Sequence, residues 1–283
     1  MQSKGISARA AFLTALGFCL CALGIAAYAA PGPQASAVPD FSGYFVRIGD
    51  LWFDPVDDNK DGKPIGPLPL DGPDAENIYA GDSSNPILQP WARDIVRGNA
   101  ESEIHLQHVY TADDSCWPSG VPQAVNLLDE VQFLQTKDRV TILYRRDHQV
   151  RRIWLNRPHS ARPKSSWYGE SVGHYEGDTL VIDTIGLKAH KMSVVDPFGT
   201  PHTDKIHVIE RYRPYPTPFG KRLEVIVRVD DPGAFTKPWK GMAEYQQDRS
   251  VTAFEEMACA ENNRDFADGK TFGTIPVEMH PAF

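Results

Sequence analysis

Residues 140–155, VTILYRRDHQVRRIWL, alternate apolar and polar side chains in two runs separated by Asp147 and His148. A period of two marks a half-buried β-strand, and two such runs around a short polar joint describe an antiparallel hairpin. The same texture recurs at 131–134, 171–175, 179–185, 205–213, 222–229, 242–248 and 254–259. Turn residues separate these runs, notably Glu176-Gly177-Asp178 and the proline-bearing loop 214–220. Short connections make neighbours in sequence neighbours in space. The expected fold is therefore mainly β, an antiparallel meander forming a closed or strongly curved barrel, calycin-like in outline.

The preceding segment has a different character. Prolines at 55, 64, 67, 69, 73, 86 and 90 exclude a long helix or an interior strand across 54–90. Residues 41–130 are expected to form a loop-rich cover over one end of a barrel core at 131–265, followed by a tail at 266–283. Within the cover, 41–53 is the first ordered segment, and 90–99 is a short helix opened by Pro90 and ended by Gly98.

At the start of the chain, Lys4 and Arg9 precede a charge-free apolar run over 11–27 that ends in Ala27-Tyr28-Ala29. This pattern reads as a secretory signal peptide over 1–29, followed by a flexible leader at 30–40, and places the mature chain in the periplasm or outside the cell. Cys19 and Cys21 fall within the signal, so Cys116 and Cys259 remain and are expected to pair in an oxidising compartment. A bridge closing a loop of about 140 residues contributes about 4 to 5 kcal/mol in the chain-entropy model. Without Lys4 and Arg9, 27 basic residues face 37 acidic ones, a net charge of -10. Nucleic acid and anionic membranes are poor partners for such a chain, and no later apolar run is long enough for a membrane span. A homo-oligomer is compatible with these features.

Charge is also unevenly placed. Nine lysines and arginines lie between 137 and 164 against two aspartates, whereas 50–82 holds nine acids against two lysines. The acidic loop is expected to pack on the basic strands.

Three clusters could carry chemistry. With Asp147-His148 as a two-residue loop, Tyr144 faces Arg151, and Val140, Ile142, Ile153 and Leu155 share their face. An arginine on an apolar face must be paired or bind an anion. A carboxylate or phenolate of a substrate would serve, and so would an acid from 50–82. Tyr144, Arg151, His148 and His207 are thus the substrate-binding candidates. In the second cluster, a two-residue turn at Glu176-Gly177 or Gly177-Asp178 puts His174 and Asp183 on one face, diagonal in the second register, whereas a three-residue loop separates them; a histidine oriented by an aspartate can act as general acid or base. In the third, His202 and Asp204 alternate onto one side of HTDKIHVIER with His207 on the other. His202 with Asp204 is a second acid–base pair.

Several chemistries lack their signatures. Histidines on opposite faces argue against one shared metal, so no metal site is assigned. The run DDNKDG at 57–62 fits the opening of a calcium loop, but Leu68 stands where its bidentate glutamate belongs. Nucleophile-elbow, phosphate-loop and dinucleotide motifs are missing from the sequence, so no cofactor is expected. The inventory points to cofactor-independent acid–base chemistry, of lyase, dehydratase or isomerase type, on a small aromatic or apolar compound that can carry an anionic group. The alternatives are a non-catalytic carrier of small apolar ligands and a metal-dependent hydrolase.

Taken in order, VTILYRRDHQVRRIWL, GHYEGDTLVIDTIG, HTDKIHVIERYR, DDPGAFTKPW and CAENN resemble a widespread family of secreted bacterial proteins, most of them uncharacterised. The similarity covers roughly 115–263 and implies a shared fold and site. The polar positions that match are His148, Arg151, Arg152, His174, Asp183, His202, Asp204, His207, Glu210 and Arg211, whereas Arg145-Arg146 departs from the pattern.

Overall fold

The computed structural model describes residues 38–57, 60–70, 78–261, 264–266 and 272–274. The expected signal peptide, most of the leader and most of the tail lie outside the described residues, as do Asp58 and Asn59 of the DDNKDG run. The strands are β1 (Gly43–Ile48), β2 (Asp54–Pro55), β3 (Val131–Gln135), β4 (Arg139–Tyr144), β5 (Val150–Leu155) and β6 (Glu170–Glu176). They continue as β7 (Thr179–Ile185), β8 (His207–Thr217), β9 (Gly220–Asp230), β10 (Trp239–Gln247), β11 (Arg264–Phe266) and β12 (Phe272–Thr274). Helix α1 spans Pro90–Ile104.

Closure comes from β1, which pairs antiparallel with β3 on one side and β10 on the other. Nine strands, β1 and β3 to β10, thereby form a closed mixed barrel, with the short β2 added beside β10. The first ordered segment is thus a barrel stave rather than part of the cover. Alternate residues fill the interior: Phe45, Phe133, Val140, Ile142, Ile153, Leu180, Ile182, Val208, Val225, Val227 and Trp239 are all buried. Burying side chains of this size stabilises the fold by about 1.5 to 3 kcal/mol each.

The meander is broken once. β5 and β6 run parallel, with Ile153 opposite Ser171 and Leu155 opposite Gly173. Parallel neighbours need a connection that carries the chain back along the strand, and residues 156–169 provide it. The strands approach closely here, since a Cβ on Gly173 would sit 2.9 Å from Ile153 Cγ2 and from the Val181 carbonyl.

Other departures have local causes. The hairpin β8–β9 runs to a two-residue turn at Pro218-Phe219, although 214–220 reads as a loop. Pro214 and Pro216 are tolerated because β7 pairs with β8 only as far as Tyr212, so no ladder donor is required of them on that side. Helix α1 passes through Gly98 because its stripe Ala92, Val96 and Ala100 is buried, and packing outweighs a glycine penalty of about 1 kcal/mol. Residues 254–258 form no strand, and Cys259–Glu261 is a single 3₁₀ turn.

The proline-rich segment closes the barrel end near the β9–β10 connection. Ile65, Ile87 and Leu88 join the core, the Gln89 amide donates to Ala234 O at 2.9 Å, and Trp91 Nε1 donates to Gly233 O at 2.7 Å. Its described acids form no ion pairs with the basic strands 137–164, contrary to expectation. Among the described residues, Asp61 meets Arg228 at 3.5 Å, while Arg145 and Arg146 pair with Glu130 and Asp129 at 3.1 and 2.7 Å. Cys116 and Cys259 form a disulfide across 143 positions, and the Cys259 amide donates to Asp147 Oδ1 at 2.8 Å. The bridge thus fastens Cys259 to the turn at 113–116, and the amide bond adds a link to the β4–β5 joint.

Candidate functional site

Inside the barrel, Val140, Ile142, Tyr144, Arg151, Ile153 and Leu155 do share one face. Their register differs from expectation by two residues, because Arg145 to His148 form a four-residue connection and Ile142 faces Arg151. Tyr144 is diagonal to the arginine, and its hydroxyl is pushed up to about 12 by burial. Arg151 is 1% exposed and fully engaged. Its guanidinium grips Glu210 through two nitrogens, one at 3.0 Å from Oε1, and donates to Thr184 Oγ1 at 2.9 Å and Ser171 Oγ at 3.2 Å. Tyr212 adds a hydroxyl donor to Glu210 at 3.0 Å. Burial works against the charge on Arg151, but Glu210 more than offsets it and the net direction is upward. The carboxylate that pairs with Arg151 is thus Glu210, rather than an acid of the 50–82 segment.

On the outer face the parallel crossover builds a cleft of about 680 Å³. β5 contributes Arg152 and Trp154, which point outward because Arg151 and Ile153 point in. The connection contributes Arg157, Arg162, Lys164 and Trp167. The Arg157 guanidinium lies 4.1 Å from the Trp154 ring centroid, with Arg139 at 5.3 Å from the same centroid. Trp167 is packed by Trp117 at 5.6 Å between centroids. The end of the crossover is held by Gly169 at φ +58, where a Cβ would meet Ile185 O at 2.4 Å.

One end of this cleft, formed by Ser160 and Glu170, leads into a chain of titratable groups. The amide and hydroxyl of Ser160 both donate to Glu170 at 2.6 Å, and these bonds hold its carboxyl below the usual carboxylate range. His159 Nδ1 lies 3.1 Å from Glu170 Oε1, and its Nε2 lies 3.0 Å from Asp183 Oδ1. The same Asp183 oxygen meets His207 Nε2 at 2.8 Å. Glu170, His159, Asp183 and His207 thus form one hydrogen-bonded line, partly open to solvent. A neutral imidazole donates one proton and a protonated one donates two, so His159 can take up a proton without leaving either carboxylate.

The expected pairs are arranged differently. The Gly177-Asp178 turn sets His174 opposite Val181, so Asp183 is diagonal to it on the same outer face. His174 nevertheless bonds Glu176 at 3.0 Å, and Asp183 serves His159 and His207. His202 is buried away from Asp204, which is exposed in the turn before β8. His202 Nδ1 donates to the Thr203 carbonyl at 2.9 Å, leaving Nε2 to accept from the Ser193 hydroxyl at 2.8 Å, and burial lowers its pKa. His148 is exposed at the β4–β5 joint and does not line the cleft. His207 belongs to the proton chain instead of to a binding face around Arg151.

Two participants were missed by the sequence reading, His159 and Glu170. His159 lies in NRPHSARPKSSWYG, which has no periodicity, and the only signal there is its density of basic residues. Among the described residues, no group of three or more His, Cys, Asp or Glu side chains is arranged to hold a metal ion. Also among them, no helix is long and apolar enough to cross a membrane. The molecule is thus a disulfide-bridged mixed β-barrel with a basic cleft and an adjoining carboxylate–histidine chain on its outer face. No family model matches the chain, and neither does any curated protein or solved structure with which it was compared.

Proposed function

We propose that the protein is an acid–base enzyme of an oxidising, extracytoplasmic compartment, acting on a small organic molecule held in the crossover cleft. The observation that carries this reading is the contact between cleft and proton chain: Ser160 and Glu170 line the cleft and lead through His159 to Asp183 and His207. Glu170, the carboxylate of the cleft wall, is the group that meets the substrate proton, and His159 behind it passes the proton along the chain. Asp183 orients both imidazoles, and the cleft cations offset negative charge that develops on the substrate. Such a set performs elimination, dehydration or isomerisation next to an acidic carbon without a cofactor. The disulfide supports the compartment.

A carrier that encloses its ligand in the barrel is less well supported, because Phe45, Phe133, Ile142, Tyr212 and Trp239 occupy the interior. The test is to incubate the protein with a panel of small organic acids, follow products by mass spectrometry, and then compare His159→Ala, Asp183→Asn and His207→Ala. Each variant is expected to keep its circular dichroism spectrum and to lose about 100-fold or more in turnover. Full turnover in all three variants would sink the assignment.

A further inference from the structure

Four cations gather in the cleft. Many arginines elsewhere have a carboxylate: Arg97 has Asp94, Arg145 Glu130, Arg146 Asp129, Arg211 Glu176, Arg213 Glu224 and Arg228 Asp61, whereas Arg47 and Arg93 bond backbone carbonyls. Arg152, Arg162 and Lys164 line one cleft, all exposed, and no carboxylate lies within ion-pair distance of any of them among the described residues. Arg157, on the same wall, is stacked on Trp154 and likewise has no acid partner among the described residues. The carboxylate that reaches this lining, Glu170, is taken by Ser160 and His159. A chain with 37 acidic residues thus keeps four positive side chains together, none of them with an ion-pair partner among the described residues. Like charges gathered in one concavity repel one another unless an anion enters, and low-dielectric walls strengthen the attraction for that anion.

We infer that the cleft is a subsite for a small organic ligand bearing two or more negatively charged oxyanion groups, carboxylate or phosphate. The inference rests on the cleft being the substrate site, but not on the chemistry assigned to His159. A volume of about 680 Å³ fits a small molecule rather than a polymer strand. The guanidinium groups of Arg152, Arg157 and Arg162 suit planar, two-oxygen groups, and Lys164 supplies a point charge. The net charge of the molecule disfavours long polyanions, which extend beyond the cleft and meet its acidic surroundings.

The experiment is calorimetric titration of the disulfide-intact protein at low salt with acetate, citrate, pyrophosphate and a heparin oligosaccharide. Citrate and pyrophosphate are expected to bind one to one, at least tenfold tighter than acetate, and to weaken as salt is added. Whichever of the two binds tighter identifies the ligand as a polycarboxylate or a phosphorylated compound. The triple variant Arg152→Gln, Arg162→Gln, Lys164→Gln is expected to bind both at least tenfold more weakly, while Arg213→Gln, outside the cleft, binds as before. Acetate binding as tightly as citrate, or a folded triple variant with unchanged affinities, would overturn the inference. Heparin binding tighter than citrate would overturn the small-ligand part of it. His159→Ala separates the two readings. If that variant binds citrate normally and the enzyme's turnover does not depend on His159, the proton-chain reading fails while the anion subsite stands. If wild-type turnover depends on His159 but no preference for multiply charged anions is found, only the subsite fails.

Discussion

Arg151 and Arg152 are neighbours on β5 and face opposite sides of the barrel wall. The first is buried, gripped by Glu210 and bonded to Ser171 and Thr184, and the second is exposed in the cleft with no acid beside it. Inside the wall, the Arg151 charge is held by Glu210, and together with Ser171 and Thr184 the pair fixes how β5, β6, β7 and β8 meet. Outside, a charge without a partner is available to something that is not part of the chain. The same residue type on the same strand is structural in one position and receptive in the next.

Breaking the inner pair should have the largest effect on folding. Glu210→Gln leaves a buried guanidinium without its counter-charge and is expected to cost about 3 to 5 kcal/mol in urea unfolding. Replacing Arg151 and Glu210 together with methionine should recover most of that loss. Next comes the tether beneath the hairpin that carries both arginines: Cys116→Ser with Cys259→Ser is expected to lower stability by about 2 to 4 kcal/mol, measured the same way.

A buried charge with no counter-ion probes the same contrast from the opposite direction. Asp196 accepts from the amides of Phe198 and Thr200, at 3.0 and 3.1 Å, and burial pushes its pKa up to about 6. Its folded value lies above the unfolded one, so its contribution is fully present below about pH 4 and is lost as pH rises through 6. Asp196→Asn is therefore expected to stabilise the protein by about 1 to 3 kcal/mol at pH 7.5 and to have no effect at pH 4, read from unfolding curves at both pH values. The smallest change belongs to the outer arginine: Arg152→Gln should alter unfolding free energy by less than about 0.5 kcal/mol. A loss as large as that of Glu210→Gln would erase the distinction between the two faces.

Much of the wall was legible because strand alternation is a local property. The inward face of the 140–155 hairpin, a tight turn within 176–178 and the Cys116–Cys259 bridge all follow from patterns within reach of a few residues or from elimination, while the exact turn register needed the structure. Glu210 could have been read as the partner of Arg151, because it shares the inward parity of Val208 and Tyr212 in HVIERY. It was passed over because nothing local links β5 to β8. The crossover was the larger miss. Short connections favour a meander, and a proline-bearing stretch without periodicity gives no sign that it returns along a strand. The site lies where that rule fails: the parallel pair needs a long return, and the return brings His159 to Glu170 and Asp183 and the cations to one cleft. The excess of positive charge over 137–164 was visible, but it was assigned to an acidic loop whose Asp61 pairs with Arg228 on β9 instead.

The central claim is that ligand in the cleft and the His159 chain are one site. It is tested most directly by following imidazole nitrogen resonances in the folded, ¹⁵N-histidine-labelled protein during titration with citrate. The His159 signals are expected to move in proportion to binding, those of His207 to follow through Asp183, and those of His202, buried and bonded to Ser193 and Thr203, to stay fixed. Saturation with citrate while the His159 and His207 signals remain unchanged would contradict it.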